Sequence, residues 1–327
     1  MPAARSKPTP TTARKATSKA ARKATPTTAR KASRAPVAGG PRAAGLTSVR
    51  LALDADGIAT VTLDRPDVHN AFDDVMVAEL TAVLRELDTD PRVRVVILAG
   101  NGPSFSAGAN LNWMRRTADY SAADNERDAL ALATLMNTLY RLSRPTIARV
   151  HGPAYAGGMG LVACCDIAVA TREAKFCLSE VRLGLVPAVV TPYVMKAIGE
   201  RQARRYVLTA ETFDAAEAYR IGLVHDIVEE HELTPTLNGL VTLLFRAGPQ
   251  ALAHGKSWIE TVAASPIDDT LVAQSATLIA GLRASAEGRA GISAFLEKRD
   301  TPWLAEAKRR VAAREGGAAP RPRSRGR

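Results

Sequence analysis

The chain has 327 residues, 46% of them hydrophobic and 24% charged, enough for one large domain or two small ones with a real core. No apolar run reaches the roughly 20 residues of a membrane-crossing helix, which argues against a helical span. The net charge of +11 is local: residues 1–45 carry 11 Lys and Arg and no acidic residue, leaving 33 basic against 33 acidic elsewhere.

Those first 45 residues repeat with a period of eight, as TTARKAT (11–17), KAARKAT (19–25) and TTARKAS (27–33). Low complexity, frequent proline and few apolar side chains predict a disordered basic tail. Three roles stay open for it: non-specific contact with nucleic acid or another anionic surface, a processed organellar targeting segment, or an inert extension. A second disordered tail, 316–327, ends in PRPRSRGR.

Between the tails, VRLALDADGIATVTL reads as two strands around a D-A-D-G turn. Asp73 then caps a helix whose apolar residues Met76, Leu80, Val83, Leu84 and Leu87 follow a 3.6-residue stripe. VRVVILAG (93–100) is a buried strand, GNGPSFSAGAN a glycine-rich loop, and 125–142 a helix. TIARVHG (146–152) is the next strand, followed by a helix-like apolar run within AYAGGMGLVACCD (154–166). DIAVA and KFCLSE read as short strands, 190–199, 201–210 and 214–220 as helices, and LVHDIV (223–228) as a further strand. From about 232 to 315 the pattern is helical, broken at Gly248-Pro249. Strands alternating with helices predict an α/β core over 46–248 and a helical region over 249–315. The helical last third, from about 232, has no strand to cover and is expected to pack on neighbouring subunits. Cys164, Cys165 and Cys177 form no CxxC pair and read as buried, reduced thiols of an intracellular, cytoplasmic protein. Five scattered histidines show no metal-ligand spacing, so no metal site is predicted.

Two strand-to-helix loops share one design. FSAGAN and GPAYAGG both join small residues to a helix start, where backbone N–H groups lack partners. Two such groups aimed at one oxygen would form an oxyanion hole.

The segments RPDVHNAF, FSAGANLNWM, GPAYAGGMGLVACCDIAVA, FCLSEVRLGLVP, LTAETFDAAEAYRIGLVHDIV and SAFLEKR occur in that order. Their succession resembles the crotonase superfamily, the enoyl-CoA hydratases and isomerases, over about residues 47–300. The resemblance implies a spiral of ββα units with a C-terminal helical region that builds a homotrimer or a dimer of trimers. It also implies an acyl-CoA substrate, with coenzyme A part of that substrate and no separate cofactor. The family's two oxyanion donors fall on the amides of Ala107 and Gly157. Of the hydratases' two glutamates, the second falls on Glu180 and the first on Gly160, which has no side chain. Glu180 alone is then the general acid and base, its pKa raised by burial beside Val181, Leu185 and Val186.

One carboxylate at this position is also what the family's Δ3,Δ2-enoyl-CoA isomerases use, so isomerase is the alternative. The wording of FSAGANLNWMRR and FCLSEVRLGLVPAVVTPYV is most similar to the bacterial methylglutaconyl-CoA hydratase branch, whose substrates carry a second carboxylate. That carboxylate is expected near the space left by Gly160, with Arg115, Arg116 and Tyr155 as candidate partners. Coenzyme A is expected along the backbone of Val68, His69 and Asn70 and of residues 107 to Ala109, with Phe295 and Lys298 meeting its 3′-phosphate end from a neighbouring subunit.

Overall fold

The computed structural model describes residues 45–316, with side chains described to residue 309; the basic tails expected over 1–45 and 316–327 otherwise lie outside the described residues. Strands β1 (Val49–Leu53) and β2 (Ile58–Leu63) form the expected hairpin, closed where the Asp54 carboxylate accepts the N–H groups of Asp56 and Ile58. Helix α1 (Asp74–Thr89) begins at the Asp73 cap, whose carboxylate accepts the Met76 N–H at 3.0 Å. It buries Met76, Leu80, Val83, Leu84 and Leu87, the stripe legible in the sequence.

Strand β3 (Val95–Gly100) leads through the glycine-rich loop into α2 (Leu111–Ala118), a short helix between that loop and the expected helix, which is α3 (Ala122–Tyr140). Next come β4 (Thr146–Val150), the two-residue β5 (Ala154–Tyr155), α4 (Gly157–Cys164), β6 (Ile167–Thr171) and β7 (Lys175–Cys177). Helix α5 (Thr191–Thr209) is kinked at Gly199, which separates the two helices expected there. Then β8 (Phe213–Asp214), α6 (Ala215–Arg220), β9 (Asp226–Val228) and α7 (Glu230–Phe245) follow. The last helices are α8 (Pro249–Ala263), α9 (Asp269–Ala284), α10 (Ala286–Leu296) and α11 (Pro302–Gly316).

Six strands form one sheet in the order β1-β2-β3-β4-β6-β9, parallel except for the β1–β2 pair. Its central strands are covered on both faces, which explains their unbroken apolar runs. Val96, Leu98, Ala148 and Val150 join the main core with α1, α3 and α4, while Val95, Ile147 and Val169 meet Leu233, Leu237 and Val241 of α7. Helix α7 therefore has a sheet face to cover, contrary to the expectation that the whole final third would pack outward.

On helices α8, α9 and α10, Ile259, Val272, Ile279, Phe295 and Leu296 are exposed. Helix α8 is tied to the core at Asp166, whose carboxylate accepts the Thr146 N–H and hydroxyl and pairs with Lys256 at 2.8 Å. A second, three-stranded sheet, β5-β7-β8, brings the loop before α4 alongside the segment that carries Glu180. No described helix is long and apolar enough to cross a membrane.

Candidate active site

Residues 69–72 run beside residues 105–110, and the hydrogen-bond register between them decides which amides remain available. The Ala107 N–H donates to the His69 carbonyl at 2.9 Å, the Phe72 N–H to the Gly108 carbonyl at 2.7 Å, and the Asn110 N–H to the Phe72 carbonyl at 2.8 Å. Ala109, bridged to Phe72, has an N–H with no acceptor among the described residues. The expectation for Ala107 is therefore corrected. Its amide is engaged within the fold, and the unengaged donor lies two residues on, where the alternation of a paired chain turns the N–H to the other side.

Asn70 fixes this register. It is fully buried, in the left-handed region at φ 54°, and its side chain is saturated. Its amide nitrogen donates to the carbonyls of Asn101, Ser104 and Phe105 at 2.8, 2.9 and 3.1 Å, and its oxygen accepts the Arg65 N–H at 2.8 Å. The Asn70 carbonyl accepts the Ser106 hydroxyl at 2.9 Å. His69, also left-handed, places Nδ1 2.9 Å from the Ser104 hydroxyl. Val68 ends the 3-10 turn that begins at Pro66. The two stretches expected along coenzyme A thus lie side by side.

The second loop is pinned to the first. The Ser106 N–H donates to the Pro153 carbonyl at 3.1 Å and the Tyr155 N–H to the Ser106 carbonyl at 2.9 Å. Beyond that point Ala156 takes φ 49° and ψ −120°, a conformation uncommon outside glycine, and Gly157 opens α4 with an N–H that has no acceptor among the described residues. A Cβ on Gly157 would lie 2.6 Å from the Phe72 ring, so Phe72 holds both loops, one by its backbone and one by its ring. The helix start also lends the Gly157 amide the positive end of the α4 dipole.

Glu180 arrives from the small sheet. The Cys177 carbonyl accepts the Ala156 N–H at 2.8 Å, and three residues later Glu180 opens a 3-10 turn, Glu180–Leu183, closed by Gly184 at φ 74°. Its Oε2 is buried with no hydrogen-bond partner, and burial raises the carboxyl pKa above the usual range against a weaker opposing pull from its own backbone amide. Of the neighbours expected beside it, Val181 is half-buried, while Leu185 and Val186 are exposed, at 57% and 67%.

Gly160 leaves no open space. A Cβ there would overlap Val190 Cγ1, 2.8 Å from Val190 Cβ and 3.5 Å from Met136 Cε. The expected room for a substrate carboxylate is taken by an apolar side chain. Arg115 and Arg116 are exposed on α2, held by Asn112 at 2.8 Å and Asp74 at 2.5 Å, so neither guanidinium is unengaged. Tyr155 is half-buried, burial raises its phenol pKa, and its hydroxyl makes no hydrogen bond among the described residues. Phe295 is 82% exposed at the end of α10, and Lys298 is exposed with φ 53°, its N–H on the Phe295 carbonyl.

Two unengaged backbone donors on loops pinned together, with one buried carboxylate on the adjoining segment, define an enzyme site suited to stabilising an oxyanion while moving a proton. Residues 54–306 match the family model described as enoyl-CoA hydratase/isomerase. An enoyl-CoA hydratase structure from Shewanella pealeana is similar at 42% identity and a TM-score of 0.77, over 79% of this chain and 97% of that one. The crotonyl-CoA hydratase of Syntrophomonas wolfei is 30% identical over 76% of this chain and 95% of its own. The mevalonyl-coenzyme A hydratase sidH of Aspergillus fumigatus is 33% identical over 75% and 91%. The chain belongs to the enoyl-CoA hydratase/isomerase family. It has the α/β crotonase fold with a C-terminal helical region, and it is a hydro-lyase enzyme acting on acyl-CoA.

Proposed function

We propose that the enzyme adds water across the α,β double bond of an enoyl-CoA through one carboxylate. The thioester oxygen accepts the N–H groups of Ala109 and Gly157. Glu180 takes a proton from water as the water oxygen bonds to the β-carbon, and the π electrons move to the thioester as an enolate. The same proton then passes from Glu180 to the α-carbon, the carbonyl re-forms, and a 3-hydroxyacyl-CoA leaves with the carboxylate restored. The observation that carries this reading is the buried, unpartnered Oε2 of Glu180. A carboxylate so placed gains basicity from desolvation, as a proton shuttle working near neutrality requires.

The acyl chain we propose is branched and carboxylated, as in 3-methylglutaconyl-CoA. The similarity of FSAGANLNWMRR and FCLSEVRLGLVPAVVTPYV to that hydratase branch supports it, as does a relative named for the branched mevalonyl group. With Arg115 and Arg116 engaged elsewhere, the Tyr155 hydroxyl is the remaining candidate partner for the distal carboxylate. The exposed apolar side chains of α8 to α10 support assembly as a trimer or a dimer of trimers. A second reading, Δ3,Δ2-enoyl-CoA isomerase, is favoured by the same lack of a second acid at Gly160, because moving a proton between two carbons needs one base.

Crotonyl-CoA, 3-methylglutaconyl-CoA and a 3-enoyl-CoA, assayed for hydration and for double-bond migration with Glu180→Gln as control, separate these readings. Hydration fastest on 3-methylglutaconyl-CoA and lost in Glu180→Gln is the expected result. Migration without hydration selects the isomerase, and full activity in Glu180→Gln removes the mechanism.

A further inference from the structure

Gly160 and Val190 meet across α4 and the start of α5, and their contact carries a consequence for specificity. We infer that Val190 is a specificity-determining residue: its side chain closes the volume that any side chain at position 160 requires, and so keeps a second acid out of the site. This rests on the reading of Glu180 as the acid and base for an enoyl-CoA.

The Gly160 N–H donates to the Ala156 carbonyl at 3.1 Å, which places it in the first turn of α4. Residues three apart share a helix face, so position 160 lies on the face of Gly157, the residue with the unengaged N–H. An acid at 160 would therefore stand one helical turn from that donor. Its Cβ would overlap Val190 Cγ1, with Met136 Cε 3.5 Å away on the other side.

Val190 is held where it stands. It is 2% exposed, and the Pro187 carbonyl accepts three hydrogen bonds around it: the Val190 N–H at 3.2 Å, the Thr191 N–H at 2.9 Å and the Thr191 hydroxyl at 2.7 Å. The Val190 carbonyl in turn accepts the Tyr193 and Val194 amides of α5. A β-branched side chain also has little χ1 freedom with which to withdraw. Glu180 and Val190 bound one connecting segment, so a single loop supplies the acid that acts and the apolar group that excludes another. An acid at 160 needs two coordinated substitutions, and one alone overpacks the wall.

The steric half is tested by thermal unfolding of Gly160→Ala, Val190→Ala and the double variant. Gly160→Ala should lower Tm by about 5 °C, the size expected of overpacking in a chain of this length, and the shift should fall by more than half in the Val190→Ala background. Additive shifts overturn the closure. The specificity half is tested in Gly160→Glu/Val190→Gly, assayed on crotonyl-CoA and 3-methylglutaconyl-CoA. The ratio of kcat/KM values should move towards crotonyl-CoA by about tenfold or more, because a carboxylate at 160 repels the distal carboxylate of 3-methylglutaconyl-CoA and has no such charge to meet on crotonyl-CoA. A folded double variant whose ratio is unchanged overturns the role in specificity. If the wild-type enzyme hydrates neither thioester, the reading of the reaction fails, while the Tm cycle still reports on the closure.

Discussion

The Ala107 amide donates to the His69 carbonyl at 2.9 Å, and that one bond decides which N–H of the FSAGAN loop can serve a substrate. Replacing the peptide bond at Ala109 by an ester removes a donor without changing shape, and kcat should fall by about 10²–10³, the effect of losing one oxyanion donor. The same replacement at Ala107 should leave kcat within a few-fold and lower stability by about 1 kcal/mol, the net worth of one internal hydrogen bond. A larger kcat loss from the ester at 107 than at 109 would reverse the assignment.

Glu180→Gln should lower kcat by about 10²–10⁴ while substrate still binds, the range for one general acid–base group. It should also change stability with pH. Burial raises the folded-state pKa of Glu180 above its unfolded value. The folded state therefore holds the proton more tightly, and ionisation costs stability as pH rises through the folded pKa. The variant should unfold at a higher temperature than wild type at pH 7 to 8, with the gap closing below the ordinary glutamate value of about 4.3. A gap that widens on acidification would show a carboxylate stabilised in the fold.

Asn70→Ala leaves the carbonyls of Asn101, Ser104 and Phe105 without their donor. A loss of about 2–3 kcal/mol in unfolding free energy is expected for buried acceptors left unsatisfied. Because Asn70 acts through the loop, kcat should drop more than KM rises. Asn70→Asp, an acceptor facing three carbonyls, should not restore it; rescue by aspartate would remove the donor argument.

Phe295→Asp, alone or with Ile259→Asp, should convert a trimer or hexamer to a monomer in sedimentation or light scattering, since a charge replaces an exposed apolar contact. Unchanged mass in both variants would place the subunit interface on another face.

Much of the fold is legible in local pattern. The α1 stripe with its Asp73 cap, the Gly199 kink and the Gly248-Pro249 break are each set by residues within a few positions of one another. Glu180 and Gly157 stand as site candidates through ordered motifs. The choice between Ala107 and Ala109 is not, because it depends on pairing with residues some 37 positions earlier, as in the bridge from Phe72. Gly160 shows the same limit: an absent side chain in a sequence looks like space, yet the fold fills it with Val190 from thirty positions on. Arg115 and Arg116 invited a role by charge alone, and their partners Asn112 and Asp74 engage them.

The paired stretch from His69 to Phe72 has a consequence for how this loop can change over time. Since alternate amides face opposite sides, lengthening or shortening either partner by one residue would hand the substrate-facing position to a neighbour already committed to the fold. Side chains along the stretch other than those of Asn70 and Phe72 can vary while its spacing is kept. The proposed oxyanion donor is thereby encoded in residue count as well as in the identity of Asn70, and such a site tolerates no single-residue frameshift of the loop.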